Sequence, residues 1–213
     1  MGIQQRKERE KERRRQQILV AAKRVFLYKG FSRTTIEDIA NEAELSAGTL
    51  YLYFKNKEEL FASLSLRILQ YLVIRLEEVK AVMENSSNDR LEILKSAMYD
   101  VYDFDTASII NMFHLQSSEA LRNLSEQLLS EFHELVGKSM RVLTDIFRDG
   151  INAGYFINSA PESLANTYWC LFSGVVLWEA SKEFMEERKI DIKEALNFAF
   201  DLFKRGVLNN PVR

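Results

Sequence analysis

Cysteine occurs once in the 213 residues, at Cys170, which excludes an internal disulfide framework and any cysteine cluster for zinc. Proline is confined to Pro161 and Pro211, and only eight glycines are spread along the chain. With so few turn formers, long segments can stay helical where a β-rich protein would need frequent breaks. No run of about 18 apolar residues is present, as a membrane span would need. The segment from Met1 to Gln17 is charged and lacks the apolar stretch of a secretion signal. The expectation is an all-α protein of the reducing cytoplasm, neither secreted nor membrane-spanning. Histidine is limited to His114 and His133; Glu131 and Glu134 flank His133 without a ligating spacing, so neither a metal nor another cofactor is expected. No nucleophile–base arrangement, glycine-rich phosphate loop or paired-carboxylate motif stands out, which argues against an enzyme.

What is present is a segregation of charge. The overall charge is -2, yet residues 1 to 57 hold 13 Lys and Arg against 7 Asp and Glu, leaving 16 against 24 for the remainder. The front end is therefore +6 and the body -8. Phosphate neutralisation by Lys and Arg supplies most non-specific DNA affinity, so a basic front end on an acidic body is the pattern of a chain that meets a polyanion at one end only.

That front end carries a helical pattern. Ile18, Ala22, Val25 and Phe26 recur at helical spacing before Gly30, which can close the helix with Phe31 folding back. Thr34 and Glu37 have the spacing of a capping box ahead of Ile36, Ile39, Ala40 and Ala43. Ser46 is a good cap for a third, short helix that buries Leu50 and Phe54 and presents Ala47, Thr49, Tyr51 and Tyr53. Asn56, with Glu59 three residues on, caps a longer fourth helix. Two short helices packed on a preceding one form a helix-turn-helix. Ala47 and Gly48 permit close approach to a major groove, and Thr49 offers a hydroxyl and a methyl to base edges. Tyr51 and Tyr53, two apart, cannot share a face, so at least one is expected beside Lys55 and Lys57 at the surface.

From Phe26 through Thr35, Ile39, Ala40 and Ala43 to Ser46, and then over Gly48-Thr49-Leu50-Tyr51, Tyr53-Phe54, Lys57 and Leu60, the chain resembles the TetR family of regulators. The likeness covers residues 15 to 61. It departs at the turn, where Glu44-Leu45 stands for the common Gly-Val. The resemblance implies phosphate contacts from Thr35, Tyr51, Tyr53 and Lys57, with base-edge contacts from Ala47, Gly48 and Thr49 behind the Ser46 cap. It also implies that the remaining chain binds a ligand and dimerises. Residues 5 to 15 mix both charges; they extend the first helix into solvent, or form an arm whose Arg13, Arg14 and Arg15 follow phosphates or enter the minor groove. The expected organisation is an arm over 1–15, a helix-turn-helix domain over 16–61, and a helical-bundle domain over 62–213, about nine helices in all.

In the second domain a polar loop is expected over 84–89, and helices near 89–102, 105–116, 118–152, 161–187 and 191–208. The helix from 161 is apolar nearly all round, so it needs partners on two sides. Tyr168, Phe172, Val175 and Val176 from it, with Phe200 and Phe203 from the last helix, are assigned to a four-helix homodimer interface. Met98, Tyr99, Tyr102, Phe113, Phe132 and Trp169, with Phe104, Met112, Met140 and Phe147 nearby, are the candidate lining of an apolar ligand site that His114 would orient. The reading is a dimeric regulator, a repressor released by a small apolar or aromatic effector from double-stranded DNA bearing an inverted repeat. A binding module for a small molecule or protein partner, with incidental DNA affinity, is the alternative; it predicts affinity without operator preference.

Overall fold

A computed structural model describes residues 2–84, 90–116, 119–182 and 191–209. The part of the expected polar loop from residue 85 onward, and the expected extension of the 161–187 helix past residue 182, lie outside the described residues. Among the described residues there are nine α-helices and no strand. They are α1 (Ile3–Lys29), α2 (Ile36–Glu42), α3 (Ala47–Tyr51), α4 (Lys57–Glu84), α5 (Arg90–Phe104), α6 (Thr106–Gln116), α7 (Glu126–Asn152), α8 (Pro161–Ser181) and α9 (Ile192–Val207). The helix expected over 118–152 is interrupted: a 3-10 turn spans Glu119–Asn123 and α7 begins after Ser125. No helix of the described residues is long and apolar enough to cross a membrane.

The chain divides into two compact units. The first comprises residues up to Arg67 together with Leu115–Phe132; the second comprises Ile68–His114 and the chain from His133. Both α4 and α7 contribute residues to each unit. The first unit therefore takes in a segment, 115–132, that the sequence assigned to the second domain.

In the first unit α1 runs unbroken through the charged arm, as the alternating charges allow: Arg13 pairs with Glu10 at 2.7 Å and Gln16 donates to Glu12 at 2.7 Å. The other face of α1 buries Ile18, Leu19, Ala22, Val25 and Phe26. The helix stops at Gly30, whose φ of 76° is accessible to glycine and whose N–H donates to Phe26 O at 3.0 Å. Phe31 then folds back into a ring cluster with Phe26 and Phe61, at centroid distances of 5.7 and 4.6 Å.

The second unit is organised around rings. Tyr168 on α8 stacks on Phe200 of α9 at 4.6 Å and 12°. Phe147 of α7 lies 5.9 Å from Tyr168 and 5.8 Å from Phe203. Phe113 of α6 meets Trp169 and Phe172 edge-on at 5.5 and 5.9 Å. Charged pairs tie the rim: Lys95 and Lys204 both reach Glu92, and Lys95 also reaches Asp201, joining α5 to α9. Lys80 on α4 pairs with Asp145 on α7 at 2.9 Å.

That packing corrects the expected dimer residues. Tyr168, Phe172, Val176, Phe200 and Phe203 are buried inside the chain's own core. An apolar helix surface does not reveal from its sequence which side faces its own chain, and here the larger rings face inward. Val175 alone of the six is half-buried; the exposed apolar residues of α8 and α9 are Trp178, Phe198 and Leu202.

Candidate nucleic-acid interface

The turn between α2 and α3 is built from hydrogen bonds that its residue types dictate. Thr35 caps α2: its hydroxyl accepts from Asp38 N at 3.1 Å and donates to Asp38 Oδ2 at 2.8 Å, while Asp38 Oδ2 also accepts from Thr35 N at 2.8 Å. The capping box is therefore Thr35–Asp38, one residue later than the Thr34–Glu37 pair read from the sequence. Thr34 is buried, and its hydroxyl donates to Gly30 O at 2.7 Å. Lys29 also reaches Asp38. That ammonium first, and then the two donations from Thr35, hold the Asp38 carboxyl at about 2 against an ordinary 3.8. At the other end of α2, Leu45 N donates to Ala40 O at 2.9 Å and Glu44 N to Asn41 O at 3.1 Å. This is a Schellman closure with Glu44 in the left-handed region at φ 56°. Glu44 thus adopts the conformation for which glycine is the usual residue.

Helix α3 opens with Ser46, whose hydroxyl accepts from Thr49 N at 3.1 Å and lies 2.9 Å from the Thr49 hydroxyl. Leu50 and Phe54 are buried beneath it. Gly48 is exposed, and a Cβ built on it would meet only Ser46 Oγ, at 3.8 Å. The fold has no packing need for glycine there, although a helical glycine costs roughly 1 kcal/mol relative to alanine. Ala47 and Thr49 are half-buried beside it. Tyr51 is exposed and Tyr53 half-buried, as their spacing required. The arrangement is a short capped helix presenting small side chains at its N-terminus, with aromatic, hydroxylated and basic groups around it.

Two expected phosphate ligands are placed elsewhere. Lys57 turns inward: its ammonium donates to the carbonyls of Phe31, Ser32 and Thr34 at 3.1, 3.4 and 3.1 Å and sits 4.7 Å from the Phe31 ring centre. An ammonium has three N–H groups, so all its donors are engaged in fixing the loop that precedes Thr35. Arg15 likewise is half-buried, donating to Ser63 Oγ at 3.2 Å with its guanidinium 5.1 Å over Phe54. Arg13 is exposed and paired with Glu10, and half-buried Arg14 donates to Gln17.

Two further residues stand on the surface, Lys55, which the sequence placed beside the tyrosines but not among the DNA ligands, and Leu52, which it missed. Lys55 is exposed, and its ammonium has no hydrogen-bond or ion-pair partner among the described residues. Leu52 is 78 % exposed, the most exposed large apolar side chain of the described residues. The surface position of Lys55 was legible in the sequence, since it lies between buried Phe54 and the Asn56 cap, which leaves it only the outside. Glu59 fixes this corner: it accepts from Lys55 N at 2.9 Å and Ser125 N at 3.2 Å, while Asn56 Oδ1 accepts from Glu59 N at 2.8 Å.

The candidate ligand residues do not converge on one cavity. Phe132 belongs to the first unit and the other six to the second. Met98 and Phe113 are buried, Tyr99, Tyr102 and Trp169 are half-buried, and His114 is exposed. None of these seven residues lines either of two clefts of the second unit, although Met140, also expected in the lining, borders the first. The first, of about 460 Å³, lies between α7 and α8, and the second, of about 590 Å³, lies along α9 beside Val175 of α8. No group of His, Cys, Asp and Glu among the described residues could hold a metal ion.

Fold and interface together define a helix-turn-helix DNA-binding protein. The family described as bacterial regulatory proteins, tetR family, matches residues 18–64. The HTH-type transcriptional repressor KstR2 of Rhodococcus jostii is 30 % identical over 161 residues, 73 % of this chain and 76 % of that protein. The fatty acid metabolism regulator protein of Bacillus subtilis is 26 % identical over 195 residues, covering 91 % and 95 % of the two chains. The crystal structure of the transcriptional regulator FadR from Bacillus subtilis in complex with stearoyl-CoA superimposes with a TM-score of 0.63 at 23 % identity, covering 90 % of this chain and 98 % of that one. The chain belongs to the TetR family of transcriptional regulators.

Proposed function

We propose that the protein is a cytoplasmic homodimeric repressor that reads an inverted-repeat operator with α3 and leaves it when a small apolar effector binds the second unit. The observation that carries the DNA half is the N-terminus of α3, where Gly48 leaves open space that its own chain does not fill. Such space lets the backbone approach a base edge, with Thr49 and Ala47 making the base contacts and Leu52 meeting a thymine methyl. Tyr51, Tyr53 and Lys55 bind phosphates, and Arg13 and Arg14 extend the basic track along α1. Lys57 shapes the loop from within, while exposed Thr35, which caps α2, remains available to a phosphate. Two recognition helices must reach successive major grooves about 34–36 Å apart, which requires a symmetric pair of chains. The exposed apolar residues Trp178, Phe198 and Leu202, with Val175, supply the surface for that pairing in place of the buried rings. The similarity to a fatty acid metabolism regulator and to a stearoyl-CoA-bound structure supports an acyl-type effector. A shift from 99:1 to 1:99 between DNA-competent and released states needs about 5.5 kcal/mol of differential affinity.

Selection from genomic DNA fragments, followed by fluorescence-anisotropy titration across a salt series, tests the reading. An inverted repeat should be enriched; Lys55→Ala should weaken binding to all sequences and reduce the salt slope by about 1, whereas Thr49→Ala should relax sequence preference. Absence of enrichment, with binding lost at physiological salt, overturns it.

A further inference from the structure

Tyr168 is 1 % exposed, and its hydroxyl has no hydrogen-bond partner among the described residues. Its ring is stacked on Phe200 at 4.6 Å and flanked by Phe203 at 5.3 Å and Phe147 at 5.9 Å, so the surroundings are aromatic. A buried hydroxyl without an acceptor is a net loss, and phenylalanine would make the same ring contacts without it. Burial drives the phenol well above its ordinary range, with the charges of Tyr99 and Glu92 adding to the rise, so the group is a neutral donor at every physiological pH. The hydroxyl therefore has no role in holding the fold. Its chemistry selects what would pair with it. A carboxylate entering this ring cluster would lose its hydration for a single hydrogen bond, whereas an uncharged carbonyl oxygen needs little more than one donor. The same core holds Met98 and Met112, both fully buried, whose unbranched thioethers can move aside for an apolar body.

We propose that Tyr168 is the polar anchor of an effector site inside the second unit, its hydroxyl donating to the single carbonyl of a largely apolar ligand, either a fatty acyl thioester or a cyclic ketone. The proposal rests on the reading that an apolar effector binds this unit, and it adds the group by which that effector is recognised.

The test compares the full-length wild-type protein with Tyr168→Phe, using matched probes with and without the carbonyl. Stearoyl-CoA is set against its thioether S-octadecyl-CoA, and cholest-4-en-3-one against cholest-4-ene. Binding is measured by equilibrium dialysis, release from the selected operator by anisotropy, and stability without ligand by thermal melting. Wild type should prefer the carbonyl form of one pair by about tenfold, the size of one neutral hydrogen bond whose loss orphans a buried donor. Tyr168→Phe should lose that preference, bind operator unchanged and melt no lower than wild type. The pair that shows the effect identifies the source of the carbonyl. Equal binding of both members of each pair, or an equal preference in Tyr168→Phe, overturns the anchor while release from operator still upholds the effector reading. A lower melting temperature for Tyr168→Phe means that the hydroxyl is paired within the fold, and also overturns it. Failure of both pairs to bind or to release DNA overturns the anchor and the apolar-effector reading together.

Discussion

In the first unit polar side chains are tied to backbone. The Lys57 ammonium engages three carbonyls, Thr35 and Asp38 close a reciprocal box, and Glu59 collects two backbone N–H groups. In the second unit charged pairs tie α5 to α9 at the rim, the end of α8 buries one pair, Lys182 with Glu179 at 2.8 Å, and the ring cluster holds a phenol hydroxyl with no acceptor among the described residues. The contrast extends to helix ends. Helices α2 and α7 close with the same Schellman bond, from Leu45 N to Ala40 O and from Tyr155 N to Gly150 O, each at 2.9 Å. The left-handed position is Gly154 in the second case, at φ 75°, and Glu44 in the first, at φ 56°. The first unit commits its buried polar groups to backbone geometry and tolerates strain at a turn, whereas the second packs mainly rings and leaves the Tyr168 hydroxyl without an acceptor among the described residues.

Substitutions can break or sharpen this comparison. The largest effect is expected at Gly150, where an added Cβ would overlap the ring of buried Phe156. Gly150→Ala should cost about 2–3 kcal/mol of unfolding free energy by urea titration, through overpacking in the second unit. Lys57→Met should cost about 2 kcal/mol by leaving the Phe31–Thr34 carbonyls without their cation, and this loss should appear in DNA-free protein. If Lys57→Met instead melts normally and only loses affinity for DNA, the staple reading fails. Glu44→Gly should stabilise by about 0.5–1 kcal/mol, since it relieves a left-handed residue, and Gly154→Ala should do the reverse by a similar amount. The smallest effect belongs to Asp38. Its carboxyl is depressed to about 2, so its contribution is complete above the unfolded value near 3.8 and is lost as pH falls toward 2. Asp38→Asn should therefore flatten the acid limb of the stability profile between those values and leave neutral-pH salt dependence almost unchanged.

Much of the first unit was legible because its rules are local. Gly30, Ser46 and Asn56 sit where helix ends need a left-handed residue or a side-chain acceptor, and each does that work in the structure. The capping box slipped by one because two adjacent threonines each precede an acidic residue at the right spacing; burial of Thr34 decides between them. Lys57 was misread because its partners lie 23 to 26 residues back in the chain, a separation that no periodic pattern reports. Its neighbour Lys55 is the exposed cation instead. In the second unit the helices were legible and their facing was not. Helix α8 is apolar on nearly every side, so the assignment of Tyr168, Phe172 and Val176 to an interface or to the core depends on α9 and α7, which only the tertiary structure supplies.

Helix α3 is five residues long and contains Gly48. An isolated helix of that length does not form in water, because nucleation fixes more dihedrals than its few hydrogen bonds repay. Its order is borrowed from the Ser46 cap and from Leu50 and Phe54 beneath it. The helix proposed to read sequence thus has little stability of its own, and its amides should exchange with solvent through local opening well before the unit unfolds. DNA would then act as a cofactor of folding for α3, with operator affinity including the free energy of holding that turn closed.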